Sequence, residues 1–222
     1  MALEIKICGL KTVEAIDVAV SRGATHVGFV HFAKSPRHLA LNEMAALRPC
    51  IRPPVKLAVV LVDPDDALFA EIVQRVSPDI LQLHGRETPE RVAAVRAMTG
   101  LAVTKALSIG SGADLEAVAL YRDVADHLLL DAKKPKGSEL PGGNGVSFDW
   151  RLLAGLPPRT RYMLSGGISP DNVAEVIAEV SPAGIDLSSG VESAPGVKDP
   201  TLIHALFDAL QASAAHSQRK AS

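Results

Sequence analysis

Eight short apolar runs of strand length recur along this chain, spaced so that a helix fits between neighbours. They are Ile5–Ile7, His26–Phe32, Lys56–Val62, Ile80–Leu83, Val103–Leu107, His127–Leu130, Tyr162–Leu164 and Gly184–Leu187. Several are almost wholly apolar, as in Leu128-Leu129-Leu130, the pattern of strands covered on both faces in a parallel sheet. The intervening stretches change period. Lys11–Ser21 carries Val13, Ile16 and Val20 at helical spacing, and Asp65–Val76 carries Leu68, Ile72 and Val76. Thr88–Met98 opens with Thr88 as a cap and Pro89 at the first helical position. Asp171–Val180 and Pro200–Leu210 also read as helices.

Strands alternating with helices point to a single α/β domain, a (β/α)8 TIM barrel with parallel strands. Such barrels typically have about 250 residues and tolerate about 200, and this chain has 222. The competing architecture is an open doubly wound sheet. Its nucleotide-binding version is disfavoured because no Gly-x-Gly-x-x-Gly follows the first strand. No linker divides the chain. Residues 1–212 are expected to form the barrel, and 213–222 a polar, frayed tail.

Apolar residues make up 47%, enough for a sizeable core, and 23 basic residues face 25 acidic ones. The near balance argues against nucleic-acid and membrane-surface partners, which call for a basic excess. Two cysteines, Cys8 and Cys50, imply no disulfide framework and suit a reducing cytosol. The N-terminus lacks the basic-then-apolar layout of a signal peptide. No apolar run approaches the roughly 18–20 residues of a membrane helix. A cytoplasmic location is expected.

In a barrel of this kind the C-terminal ends of the strands face the active site. Cys8 stands at such an end, in Lys6-Ile7-Cys8-Gly9-Leu10. Strand alternation puts Lys6 and Cys8 on one face and Ile5 and Ile7 on the other, so Lys6 and Cys8 point into the barrel. Most free cysteines are buried space-fillers. At a strand mouth, neighbouring cations can lower the thiol from its reference pKa of about 8.5 and make it a base or nucleophile. Cys50, behind Arg48-Pro49, reads as a filler. Asp131 follows three leucines. It is either a loop cap or partner for Lys133, or a partly desolvated carboxyl that donates a proton near neutral pH.

Other candidates share these positions. Gln82 and His84 lie two apart on strand four, with His84 either a proton shuttle or a hydrogen-bonded wall residue. Asp186 and Ser188 share a face of strand eight, where Asp186 can bind sugar hydroxyls. Arg37 lies in the loop Ala33–Ala40, as a solvated surface residue or as a fork for a carboxylate or phosphate. Glycine-rich segments occur at 141–145, at Ser165-Gly166-Gly167, and at Ser188-Ser189-Gly190. Their backbone N–H groups can approach an anion. The last two follow strands seven and eight, where barrels often hold a phosphate. The connection Lys133–Ser147 is long and rich in Gly, Pro and Lys, as functional or disordered loops are. No His, Cys or carboxylate pair has trustworthy metal-ligand spacing, and no Gly-x-Ser-x-Gly elbow is present.

The ordered set Lys6-Ile7-Cys8-Gly9, Gly28-Phe29-Val30, Ser35-Pro36-Arg37, Leu81-Gln82-Leu83-His84-Gly85, Leu130-Asp131, Gly142-Gly143-Asn144-Gly145, Leu164-Ser165-Gly166-Gly167 and Asp186-Leu187-Ser188-Ser189-Gly190-Val191-Glu192 closely resembles the phosphoribosylanthranilate isomerase family of tryptophan biosynthesis. The resemblance covers roughly residues 4 to 210. It implies an Amadori rearrangement of N-(5-phosphoribosyl)anthranilate to 1-(2-carboxyphenylamino)-1-deoxyribulose 5-phosphate. By resemblance Asp131 is the acid, Cys8 the base, and Arg37 the anchor for the anthranilate carboxylate. Gly143, Gly145, Ser165, Gly166, Gly167, Ser188, Ser189 and Gly190 would hold the phosphate, with Lys6, Gln82, His84 and Asp186 completing the pocket. The loop after Asp131 would close over the site.

The resemblance implies no metal or organic cofactor and a small phosphorylated amino-sugar as substrate; the sequence leaves monomer and homodimer both open. His31-Phe32-Ala33 departs from the family's usual aromatic residues and proline. Ribulose-phosphate 3-epimerase and the aminoimidazole isomerase of histidine biosynthesis are alternatives on the same barrel. The thiol at Cys8 and the missing metal spacing disfavour both. A non-catalytic phosphate-binding module is opposed by Cys8, Asp131 and Arg37 occurring together.

Overall fold

In the computed structural model, which describes residues 3–133, 142, 143, 145 and 148–221, eight parallel strands close into a barrel in sequence order. They are β1 (Glu4–Cys8), β2 (His26–Val30), β3 (Lys56–Leu61), β4 (Ile80–Leu83), β5 (Ala102–Ile109), β6 (His127–Ala132), β7 (Met163–Leu164) and β8 (Gly184–Leu187). The helices are α1 (Val13–Arg22), α2 (Leu41–Leu47), α3 (Asp66–Val76), α4 (Pro89–Thr99), α5 (Glu116–Tyr121), α6 (Val173–Val180) and α7 (Pro200–Ala221). Between β6 and β7 a 3-10 segment, Trp150–Gly155, stands where the other crossovers carry a helix. After β8 a hairpin of β9 (Glu192–Ala194) and β10 (Val197–Lys198) precedes α7.

Local chemistry sets the boundaries. The Thr12 side chain accepts from the Ala15 N–H to start α1, and Gly23 ends it in the left-handed region at φ 109°. Asp65 caps α3 by accepting from Leu68 N–H at 2.8 Å. Thr88 caps α4 with Pro89 behind it, as the sequence predicts. Helices α2 and α5 escape the sequence pattern because seven and six residues give too little periodicity to read. The last helix runs past Leu210 to Ala221, where a frayed tail was expected. Ala, Gln, Arg and Lys there are strong helix formers, and no Gly or Pro stops the run.

The main core lies between the outer strand faces and the helices. Ile7, Phe29, Leu81, Leu130 and Ile185 pack there against Ile16, Phe69, Ile72, Val92 and Leu206. Each such side chain contributes about 1.5–3 kcal/mol through burial. Inside the barrel the apolar content is small. Ala106, Leu129 and Met163 form one cluster, and Cys8, Val30 and Val60 another. Much of the remaining interior is polar, with Lys6, Gln82, Asp131 and Asp186 all buried. Register sets their heights: Lys6 pairs with Asp186, Cys8 with Gly28, and Asp131 with Ser108. Polar side chains thus gather inside the C-terminal half of the barrel, where the strands open into loops.

Candidate active site

A cavity of about 800 Å³, open to solvent, lies at the C-terminal mouth of the strands. One wall is apolar, built from Val30, Phe32, Val60 and Val62. Opposite lie the loops after β6, β7 and β8. Cys8, Gln82, His84, Asp131 and Asp186 line the floor between them. Strand alternation explains why: each inward residue stands at or near the last pleat of its strand.

Cys8 ends β1, is 8% exposed and lines the cavity. Lys6 sits one inward position deeper, 2% exposed, below the cavity rather than on it. Its Nζ donates to Asp186 Oδ2 at 2.9 Å and faces the Cys8 thiol. Burial alone would depress the Lys6 ammonium, but Asp186 and Cys8 outweigh it, so Lys6 stays charged. Burial pushes the Cys8 thiol up. Lys6 pulls it back, Asp186 pushes it further up, and Lys198 pulls it back again, leaving a net upward shift. A thiol of this kind yields little thiolate at neutral pH, but each thiolate is a stronger base toward carbon.

Asp131 lies within β6, 2% exposed, rather than just beyond it. Its Oδ1 accepts from the Ala132 N–H at 2.9 Å, and Oδ2 lies 3.4 Å from His84 Nε2. Gly142 presses over both. A Cβ there would collide with Asp131 Oδ2 and His84 Cε1, so only glycine lets the loop come down on the carboxyl. Two buried polar atoms on this floor lack a hydrogen-bond partner among the described residues: His84 Nε2 and Asp186 Oδ1. Buried polar atoms are nearly always satisfied, and both belong to residues that line the cavity a ligand would fill.

Arg37 is neither a surface residue nor a free fork. It is 5% exposed, and its Nε and Nη2 donate to Glu192 Oε1 and Oε2, each at 2.8 Å. Nη2 also donates to the Gly143 carbonyl at 3.2 Å. Lys198 donates to the same Glu192 carboxylate, and to Ser188 O at 3.1 Å. Ser188 Oγ in turn donates to the Cys8 carbonyl at 3.0 Å. Burial alone would raise the Glu192 carboxyl, but Arg37 and Lys198 hold it below the usual carboxylate range. Sequence reasoning passed over both residues as members of a site, since charged loop residues normally read as solvated.

The glycine loops supply much of the cavity lining. Ser165, Gly166, Gly167, Ser188 and Ser189 line it, together with Gly143 and Gly145. Gly166 and Gly167 have φ of 95° and 69°, which turns their backbone out of the strand. Asn172 fixes this loop by accepting from Ser169 N–H at 2.8 Å and donating to Gly167 O at 2.9 Å. Gly190 does not line the cavity. A Cβ there would run into the Ile168 carbonyl, so this glycine lets the β7 and β8 loops touch. Most of the loop expected to close over the site, residues 134–141, 144, 146 and 147, lies outside the described residues. Among the described residues no helix is long and apolar enough to cross a membrane.

Comparison with known proteins agrees with this geometry. Residues 5–209 match the family model of N-(5'-phosphoribosyl)anthranilate (PRA) isomerase. A relative from Mesorhizobium japonicum, called N-(5'-phosphoribosyl)anthranilate isomerase, is 54% identical over 212 residues, covering 96% of this chain and 97% of its own. The crystal structure of phosphoribosyl anthranilate isomerase from Thermotoga maritima is 30% identical with a TM-score of 0.84, covering 95% of this chain and all of that one. A phosphoribosyl anthranilate isomerase solved in complex with reduced 1-(o-carboxyphenylamino)-1-deoxyribulose 5-phosphate is 28% identical, with a TM-score of 0.80 and the same coverage.

Proposed function

This chain belongs to the N-(5'-phosphoribosyl)anthranilate isomerase family, and we propose that Cys8 and Asp131 carry out that family's proton transfers. The reaction converts N-(5-phosphoribosyl)anthranilate to 1-(2-carboxyphenylamino)-1-deoxyribulose 5-phosphate, a step of tryptophan biosynthesis. The roles follow the family resemblance, and the observation that supports them is one cavity floor bearing both a thiol and a carboxyl, between an arginine and glycine-rich loops.

The chemistry needs an acid and then a base. Asp131 gives its proton to the furanose ring oxygen, the C1–O bond breaks, and the nitrogen lone pair forms an iminium. Cys8, as thiolate, removes the proton from C2, and its electrons neutralise the iminium to an enolamine. The enol then becomes the C2 ketone as C1 takes up a proton. No electrons leave the substrate, so the residues' own proton transfers suffice. Asp186 Oδ1, which has no hydrogen-bond partner among the described residues, accepts from a sugar hydroxyl.

Two anions fix the substrate. The phosphate lies against the N–H groups of the loops after β7 and β8, and the anthranilate carboxylate meets Arg37. The aromatic ring lies along Phe32 and its apolar neighbours. Anchoring both ends holds C2 opposite the sulfur, and such positioning can contribute about 7–11 kcal/mol to catalysis. Turnover of freshly generated phosphoribosylanthranilate, followed as loss of its fluorescence, tests the reading. Absence of turnover by well-folded protein would overturn it.

A further inference from the structure

We propose that Glu192 is a positioning residue, holding Arg37 in a fixed fork before the substrate carboxylate arrives. The inference rests on the functional reading above and adds a residue to it. Glu192 opens the β9–β10 hairpin, and Lys198 pairs with it across the hairpin. Its carboxylate accepts from Arg37 Nε, Arg37 Nη2, Gly196 N–H and Lys198 Nζ. The side chains of Arg37, Glu192 and Lys198 are only 6%, 3% and 2% exposed. A carboxylate with four donors has no capacity left to receive a substrate group. It serves as an anchor.

The rest of Arg37 is held just as firmly. A Cβ at Gly9 would meet Arg37 Cδ at 2.7 Å, so the arginine stem lies directly on the backbone next to Cys8. A Cβ at Gly196 would strike the Pro36 carbonyl, so the hairpin turn packs on the residue before Arg37. The fork uses the Nε–Nη2 edge of the guanidinium. The other edge carries Nη1, which lies beside Gly143 on the cavity. The entropy of ordering a long side chain is thereby lost on folding rather than on binding. Two cations against one anion leave the trio with one net positive charge, suited to a carboxylate.

Position and charge predict opposite effects, which makes the inference testable. Glu192→Gln adds one positive charge to the trio, so charge alone would tighten binding of an anion. The double variant Glu192→Gln, Lys198→Met restores the original net charge without restoring the fork. Calorimetric titration compares reduced 1-(o-carboxyphenylamino)-1-deoxyribulose 5-phosphate, which carries the carboxylate, with ribose 5-phosphate, which does not.

The expected result for both variants is at least about tenfold weaker binding of the carboxylate ligand. In Glu192→Gln, ribose 5-phosphate should change by less than about twofold, with KM rising more than kcat falls. Arg37→Lys leaves the hairpin untouched and keeps the charge, and should reproduce the loss because an ammonium cannot be forked. Tighter or unchanged binding in Glu192→Gln, wild-type affinity in the double variant, or an unaffected Arg37→Lys would each overturn the proposal. Wild-type protein that neither binds the analogue nor turns over substrate would refute the functional reading, and the inference with it. An active wild type with any of those variant outcomes refutes the positioning role alone.

Discussion

Replacing Gly28 by alanine adds one methyl group opposite the proposed base. Gly28 is the register partner of Cys8, and an added Cβ would lie 2.8 Å from Cys8 Sγ, 3.1 Å from Cys8 Cα and 3.2 Å from Lys6 Cε. Comfortable carbon contacts are about 3.5–4.0 Å, so the methyl needs most of an additional ångström. The strands cannot part easily here. Gly9 N–H and Leu10 N–H both donate to the Gly28 carbonyl, at 2.8 and 3.1 Å. The sulfur is the atom free to move, and it swings off the cavity. Overpacking of this size costs about 1–3 kcal/mol. At about 2–4 °C per kcal/mol for a domain of this length, Tm should fall by roughly 2–12 °C. Displacing a reacting atom by about 1 Å can cost on the order of 100-fold in rate. Steady-state turnover of phosphoribosylanthranilate, with calorimetric binding of the reduced product analogue as control, measures both effects. A large loss of kcat is expected, with analogue affinity kept within a few-fold. Wild-type kcat in Gly28→Ala would refute the placement of the reacting sulfur.

Other perturbations read other parts of the site. Lys6→Met removes the cation opposite Asp186, and leaving a buried charge unpaired costs about 3–5 kcal/mol. Burial already holds the Asp186 carboxyl above its ordinary value, and losing Lys6 raises it further. The native variant then binds more protons than the unfolded chain, so its stability is best at low pH and is lost as pH rises toward the raised pKa. Urea unfolding should show a smaller deficit at pH 5 than at pH 8; equal deficits would contradict this. With its thiol raised by burial, Cys8 should be alkylated by iodoacetamide about tenfold faster per pH unit up to and beyond about 8.5. Peptide mass spectrometry separates it from Cys50, and a rate that levels off below pH 7 would contradict the raised thiol. Lys105→Met breaks the buried pair with Glu87, made at 2.7 Å. That pair ties the segments just beyond β3 and β4 to the middle of β5, through bonds to Asp63 N–H and Gly85 O. A loss of about 3–5 kcal/mol is expected, and an unchanged Tm would show that the pair is dispensable.

The barrel is legible in the sequence because strands covered on both faces leave runs such as Leu128–Leu130 that no other element explains. Cys8, Asp131 and His84 are legible for a related reason: polar residues that close an apolar run mark the strand mouth. The Arg37–Glu192–Lys198 trio is not legible as such. Arg37 and Glu192 are 155 residues apart, and nothing local to either shows that the other will desolvate it. Lys105 is hidden in the same way, as a charge inside a strand whose partner Glu87 lies in a different loop. Gly190 is ambiguous in the sequence because a glycine that lets two loops touch has the same local signature as one that faces an anion.

In the mechanism proposed, Cys8 and Asp131 divide one reaction between them, base and acid. Turnover by Cys8→Ser and Asp131→Asn, measured beside binding of the reduced product analogue, tests it most directly. Each substitution should lower kcat by at least about 100-fold, the scale of a lost general acid or base, while analogue affinity stays within a few-fold of wild type. Near-normal kcat in either variant would contradict the assignment of that residue.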